Sequence, residues 1–399
     1  MTRRRLRVLE DLGDLSGKRV LVRCDFNVPL EGGRVTDDLR VRATVPTLEE
    51  LLEKETGIIL CSHLGRPKGE VVESLRLSPV AAVLTDALGR RVQKLDEVVG
   101  ARVSSAAAAL RPGEVMLLEN LRFERGETRN DPGLADALAA LADAYVDDAF
   151  GAAHRAHASV VGVAERLPNA AGRLMQREVE VLSKLRDEAD PPYVAILGGA
   201  KVSDKLGAIG ALVDRVDALL VGGAMAFSFL AAAGGEVGRS LVEPDRYDDI
   251  RAAVRRADER GVVIQLPEDI VAASEPTVEA TRRTVPANAI PRDMIGLDIG
   301  PRTVEEFART IADAKTLLWN GPMGMFELEP FSAGTRGIAR AIAGASAYSV
   351  VGGGDSLAAL RKFELQDRID HLSTGGGASL EFLEGKDLPG LAVLMQDVE

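Results

Sequence analysis

Short apolar runs alternate along the chain with longer segments in which Leu, Ala and charged residues recur at helical spacing. That alternation predicts an α/β protein of βαβ units, with mostly parallel sheets covered by helices on both faces. In the first part, strands are predicted at 18–23, 57–61, 115–118 and 144–147, running into the polar loops CDFNVP, SHLGRP, ENLRF and DAFGAAHRAH. In the second, runs at 193–197, 217–221, 315–319, 347–351 and 370–373 lead into GGAKVSDK, GGAMAF, NGPMGMFE, GGGDS and TGGGAS. Open α/β sheets bind ligands beyond the carboxyl ends of their strands, so two sites are expected, one rich in arginine and one in glycine. Loop chemistry changes between Arg173 and Pro192. Residues 173–187 (RLMQREVEVLSKLRD) read as a helix linking two lobes, stopped before the next strand by Pro191 and Pro192.

Composition narrows the class. With 46% apolar and 28% charged residues in 399, the chain is neither a disordered protein nor a membrane bundle, and it is long enough for two or three domains. Forty glycines, one residue in ten, point to tight turns and close approach of backbone to a ligand. A net charge of −12 is the wrong sign for a nucleic-acid surface. The deficit is uneven: up to Arg173 there are 25 basic and 26 acidic residues, and beyond it 24 and 35.

Cys24 and Cys61 end apolar runs and read as reduced core thiols. MTRRRLRVLE is followed by no apolar stretch of secretory type. The uncharged stretch 218–235 is broken by Gly222, Gly223, Gly234 and Gly235 into strand, turn and short helix rather than a membrane span. The expected location is the cytoplasm.

The candidate chemistry of the first part is cationic. Arg23, Asp25 and Asn27 follow the first strand, and Arg40 and Arg42 come ahead of a helical run; alone, these read equally well as solvated loop residues. In SHLGRP, His63 and Arg66 sit beside Gly65 and Pro67, which fix the backbone so that two donors converge on an anion. Arg122 and Arg155 repeat the arrangement after later strands. Arginines gathered at one sheet edge repel one another unless an anion joins them. His154 and His157 have no Cys or carboxylate partner at metal-binding spacing and are expected to pack or to bond within their loop.

In the second part neither a Walker P-loop nor G-x-G-x-x-G is present. Lys201 and Lys205, four apart, share a face if a helix starts near Ser203, where both would neutralise phosphate. Gly375 to Gly377 and Gly352 to Gly354 precede predicted helices whose free amides attract phosphate oxygens, although each run also serves as a plain βα turn. Asp355 beside such a loop makes best sense if magnesium bridges it to a nucleotide.

The segments RCDFNVPL, SHLGRP, LLENLRF, DDAFGAAHRAH, ILGGAKVSDK, GLDIGP, WNGPMGMFE, VGGGDS and STGGGASLE, in that order from about residue 18 to 390, resemble those of the phosphoglycerate kinase family. The resemblance implies two Rossmann-like lobes joined by a hinge helix. Residues 1–172 would form a phosphoglycerate-binding domain to which 385–399 returns, 173–190 the connection, and 191–384 a nucleotide-binding domain. It implies reversible, magnesium-dependent phosphoryl transfer between 1,3-bisphosphoglycerate and ADP, giving 3-phosphoglycerate and ATP.

By the same resemblance, Asp25, Asn27, Arg40, His63, Arg66, Arg122 and Arg155 hold the glycerate and its phosphate. Lys205, Gly296, Asn320, Glu327, Gly353, Gly354, Asp355 and Ser356 serve the nucleotide, with Asp355 toward the metal and Glu327 on the ribose. Arg40, Lys201 and Gly376 act on the travelling phosphoryl group. A monomer without nucleic-acid or membrane partners is expected. Ser356 stands where threonine is frequent and Cys24 where a small apolar residue is usual, and the arginines of the first ten residues have no role assigned. Two other readings are a dinucleotide-dependent oxidoreductase, whose fingerprint is missing, and a non-catalytic binding protein, which would be expected to have lost the lysines, Asp355 or the arginine set.

Overall fold

The computed structural model describes residues 3–398. The chain forms two compact units, Met1–Glu180 with Asp387–Glu399, and Val181–Lys386. The boundary falls inside the helix Arg173–Asp187.

The first unit is built on a six-stranded parallel sheet in the order Val92–Lys94, Val115–Leu117, Gly57–Cys61, Arg19–Cys24, Ala144–Asp148, Asn169–Ala171. Alternation along the central strand sends Val20, Val22 and Cys24 into one core with Leu48, Leu51, Ile58 and Leu60. Leu21 enters the opposite core with Ile59, Cys61, Met116 and Tyr145. Both cysteines are fully buried and free. Because later strands add on both sides of Arg19–Cys24, the topological switch point lies at its carboxyl end, where Arg23 pairs in register with Cys61 and Asp147.

Outside this sheet, Arg3–Leu6 runs antiparallel to Met395–Val398. The early arginines, left without a role by the sequence, tie this corner down: Arg4 pairs with Asp397 at 3.1 Å, Arg5 with Asp11 at 2.6 Å, and Arg7 reaches Asn169 Oδ1 at 2.7 Å.

The helix Arg173–Asp187 starts against the first unit. Thr47 Oγ1 accepts from Arg173 N at 2.8 Å and Asp148 Oδ1 from Met175 N at 3.2 Å, so side chains from two other elements satisfy its first amides. Lys184 and Arg186 fall in its last turn, where they complement the helix dipole.

The second unit carries its own six-stranded parallel sheet, in the order Val263–Gln265, Ala218–Val221, Tyr193–Leu197, Thr316–Asn320, Tyr348–Gly352, His371–Ser373. The switch point here lies between Tyr193–Leu197 and Thr316–Asn320. The uncharged stretch 218–235 resolves into the strand Ala218–Val221 and the helix Met225–Ala232, and among the described residues no helix is long and apolar enough to cross a membrane.

A three-stranded antiparallel sheet, Arg282–Pro286, Asp269–Ala273, Ile295–Ile299, was not expected from the sequence. Its outer strand is mostly exposed and carries two arginines, so it lacks the apolar run that marked the others.

Candidate functional site

In the first unit the expected residues collect at the switch point of the sheet. Arg40 lies not ahead of a helix but in the first turn of Leu39–Glu53, from which its Nη1 donates to Asp25 Oδ2 at 2.8 Å. Asn27 Oδ1 accepts from Gly65 N at 2.9 Å, and Arg122 Nη1 donates to Gly65 O at 2.7 Å, so the SHLGRP loop is clamped from both sides. Asn120 adds a second clamp: its Oδ1 accepts from Leu64 N, and its Nδ2 donates to Leu64 O and Leu75 O. Arg66 and Arg155 are exposed. The structure thus joins Asp25, Asn27, Arg40, His63 and Arg122 in one network, with Arg66 and Arg155 extending from the surrounding loops.

The charges here are not balanced. Half-burial, followed by the fields of Arg23 and Arg155, pushes the Arg122 guanidinium down to about 10, and its Nε is buried without a hydrogen-bond partner. Burial, then Arg23, Arg122, Arg40 and His157, drives His63 well below the ordinary histidine range, so it is neutral at physiological pH. Cations crowded until their proton affinity falls form a receptor for an anion.

Sequence reasoning named Arg23 but gave it no role. Strand alternation buries it completely on the Leu21 face, where Nε donates to Ser159 Oγ at 3.0 Å and an Nη2 proton reaches His63 Nδ1 at 3.1 Å. The sequence signal was an arginine at the end of an apolar strand, where a solvated loop residue was equally plausible. His157 packs with its Nδ1 3.6 Å from Glu127 Oε1.

In the second unit a cavity of about 270 Å³ opens beside the switch point. Phe227, Ile270, Leu297, Met323 and Met325 give it apolar walls, and Glu327 and Asp355 place carboxylates in its lining. Gly296 forms part of the wall because a methyl group there would run into the Phe227 ring. The unexpected antiparallel sheet supplies Ile270, Gly296, Leu297 and Asp298 to this lining. Asp298, pushed up to about 8 by burial, accepts from Gly334 N at 2.7 Å and Ile299 N at 3.0 Å.

The lysine pair does not share a helix face. The helix begins only at Leu206, with Lys205 as its N-cap and Lys201 exposed in the loop before it, because residues 203–205 form a turn instead. Lys205 Nζ donates at 2.7 Å to Gly198 O, Asn320 O and Asn320 Oδ1, which uses all three of its protons on strand-end oxygens; burial lowers its pKa to about 7. Ser356 is likewise committed: fully buried, its Oγ accepts from Gly321 N at 2.6 Å.

Gly321 itself has φ +97°, and a side chain there would press on Gly198 O and Lys205 Nζ. Gly353, at φ +91°, turns the chain into the helix Gly354–Lys362, whose first turn presents exposed Asp355. Gly376 precedes the short helix Gly377–Leu383. No group of three or more His, Cys, Asp or Glu stands ready to cage a metal among the described residues. Asp355, a single exposed carboxylate, fits instead a magnesium ion that is held mostly by substrate phosphates and water.

Comparison with known proteins identifies the family. The family model described as phosphoglycerate kinase matches residues 9–386. The phosphoglycerate kinase of Thermomicrobium roseum is 56% identical over 392 residues, covering 98% of this chain and all of that one, and the enzyme of Rubrobacter xylanophilus is 55% identical over the full length of both. Among solved structures, phosphoglycerate kinase from Coxiella burnetii superposes with a TM-score of 0.85 at 41% identity, covering 98% of this chain and 99% of that one. That from Pyrococcus horikoshii OT3 gives 0.87 at 33%, covering 98% of each. With both sheets, the basic cluster and the apolar cavity in place, the chain belongs to the phosphoglycerate kinase family.

Proposed function

We propose that the basic cluster of the first unit holds the glycerate and phosphate of 3-phosphoglycerate or 1,3-bisphosphoglycerate, and that the cavity and strand ends of the second hold ADP or ATP. The family activity, phosphoryl transfer between these substrates, sets the chemistry: an acyl phosphate is a reactive donor, and an oxygen of the ADP β-phosphate attacks it. No general base is needed in this direction. The protein aligns two polyanions in line and neutralises the charge on the equatorial oxygens of the moving group.

Arg40, Lys201 and the backbone at Gly376 are the groups assigned to that neutralisation. Asp25, Asn27, His63, Arg66, Arg122 and Arg155 position the glycerate. Gly296 and the apolar walls receive the base, Glu327 the ribose hydroxyls, and Gly353 and Gly354 the phosphates. Asn320, Lys205 and Ser356 serve the nucleotide by holding the Gly198 and Gly321 turns in shape.

Asp355 would hold magnesium, which when bound offsets the charge of the nucleotide phosphates. Direct transfer brings the two ligands together only when both are bound, which excludes water from the acyl phosphate. The enzyme is assigned to the cytoplasm as a monomer, acting in glycolysis and gluconeogenesis.

The observation that carries this reading is the unbalanced cationic cluster, with Arg122 lowered to about 10 and its Nε buried without a partner. A coupled assay of 3-phosphoglycerate phosphorylation by ATP, run over a range of magnesium concentrations, tests it. Activity is expected to depend on the metal, and Asp355→Ala to require more of it. An Asp355→Ala enzyme with wild-type magnesium dependence would remove Asp355 from the metal.

A further inference from the structure

Beneath the basic cluster lies a buried chain of hydrogen bonds whose direction is fixed by chemistry. Arginine can only donate. Ser159 Oγ therefore accepts from Arg23 Nε at 3.0 Å, and its single proton goes to Glu127 Oε1 at 2.7 Å. Glu127 Oε2 accepts from Ser159 N at 3.0 Å, and Tyr145 Oη donates to Ser159 O at 2.7 Å, so the serine is held by backbone and side chain together. Arg23, Glu127 and Ser159 are all fully buried.

At the other end of Arg23, Nη2 points a proton at His63 Nδ1, 3.1 Å away. That nitrogen must then offer its lone pair. A neutral imidazole carries one proton, and it is left on Nε2.

We propose that Glu127, Ser159 and Arg23 form a relay that locks His63 as the neutral tautomer protonated at Nε2, presenting a fixed, uncharged hydrogen-bond donor to the glycerate substrate. Without the relay His63 would have a competing choice. Asp25 Oδ1 lies 3.9 Å from Nδ1, and a carboxylate favours a proton on the nitrogen that faces it. Arg23 occupies that nitrogen first. Its positive charge, with those of Arg122 and Arg40, opposes a second proton on the ring, while Asp25 is the nearby carboxylate that favours one.

Arg23, Ser159 and Glu127 are thus positioning residues, acting through His63. The geometry explains why an arginine sits in an apolar sheet interior: it transmits the anchorage of a glutamate to an imidazole. This inference rests on the glycerate reading of the basic cluster.

The test is nitrogen-15 spectroscopy of the four histidines in the ligand-free protein, with His63 assigned by the His63→Gln variant. The expected spectrum has an unprotonated Nδ1 and a protonated Nε2 in the wild type, and protonation at Nδ1 in Arg23→Met. A wild type protonated at Nδ1, or a folded Arg23→Met with an unchanged tautomer, overturns the relay.

If Arg23→Met does not fold, Ser159→Ala removes one hydroxyl only. Its KM for 3-phosphoglycerate is expected to rise about tenfold with KM for ATP unchanged, as for loss of one hydrogen bond to a charged group, and Ser159→Thr to restore it. Equal KM values in Ser159→Ala and wild type also overturn the relay. Calorimetric titration of the wild type with 3-phosphoglycerate separates the two ideas: absence of binding removes the glycerate reading, while the nitrogen spectrum still decides the tautomer.

Discussion

The two units use the same sheet architecture and the same switch-point logic, yet they prepare for their ligands in opposite ways. In the first, arginines are held close together, with His63 kept neutral among them and Arg122 losing affinity for its proton. In the second, the polar groups spend their bonds on the protein itself. Lys205 is saturated by strand-end oxygens and Ser356 by a loop amide, and the cavity offers apolar walls and two carboxylates. On the proposed reading, one site would bind by charge that is not yet balanced, the other by a shape whose framework is already complete.

The contrast is broken most sharply at Arg40. Arg40→Ala is expected to lower kcat on the order of 10³-fold, in the manner of an arginine finger, and a near-normal kcat would take it out of the transfer step. Gly296→Val probes the shape side. The added side chain meets Phe227, so KM for ADP and ATP should rise about tenfold while KM for 3-phosphoglycerate stays constant. A rise in both would mean that the substitution disturbs more than the cavity.

A smaller effect is expected from Ser356→Ala. It strips the acceptor from Gly321 N and should cost about 1–3 kcal/mol in denaturant unfolding, since a buried amide is left unpaired.

The pH dependence of stability sharpens the comparison further. Burial raises Asp298 to about 8, from an ordinary aspartate value of ~4, so folding favours its neutral form. Its contribution is complete below pH ~4 and is lost as pH rises through about 8. Thermal melts from pH 4 to 9 should therefore fall less steeply for Asp298→Asn than for the wild type. Part of the slope should remain, because Asp147 and Asp148 in the first unit are raised by burial to about 7.

What could be read from the amino acids follows the physics of each element. The central strands were legible because runs of three to five apolar residues ending in a glycine or polar loop have few alternatives; the predicted 193–197 is the observed Tyr193–Leu197. The edge strands Val92–Lys94 and Asn169–Ala171 were not, having neither a run of large apolar residues like Val115–Leu117 nor the glycine-rich loop that marked His371–Ser373. The start of the helix at Leu206 was misplaced because Ser203 has the composition of an N-cap, but its Oγ turns away to Glu243 at 2.6 Å.

Site residues were legible as types and not as partners. No spacing rule links Arg23 to Ser159, 136 positions away, or Lys205 to Asn320, 115 away. Those links arise from sheet order, which a single sequence does not state.

The pairing of Arg3–Leu6 with Met395–Val398 joins positions such as Arg4 and Asp397 that lie 393 apart. A ribosome building this chain from its amino end therefore makes every residue of the second unit before the closing strand of the first exists. The first unit must wait, with that seam open, until the second has been made.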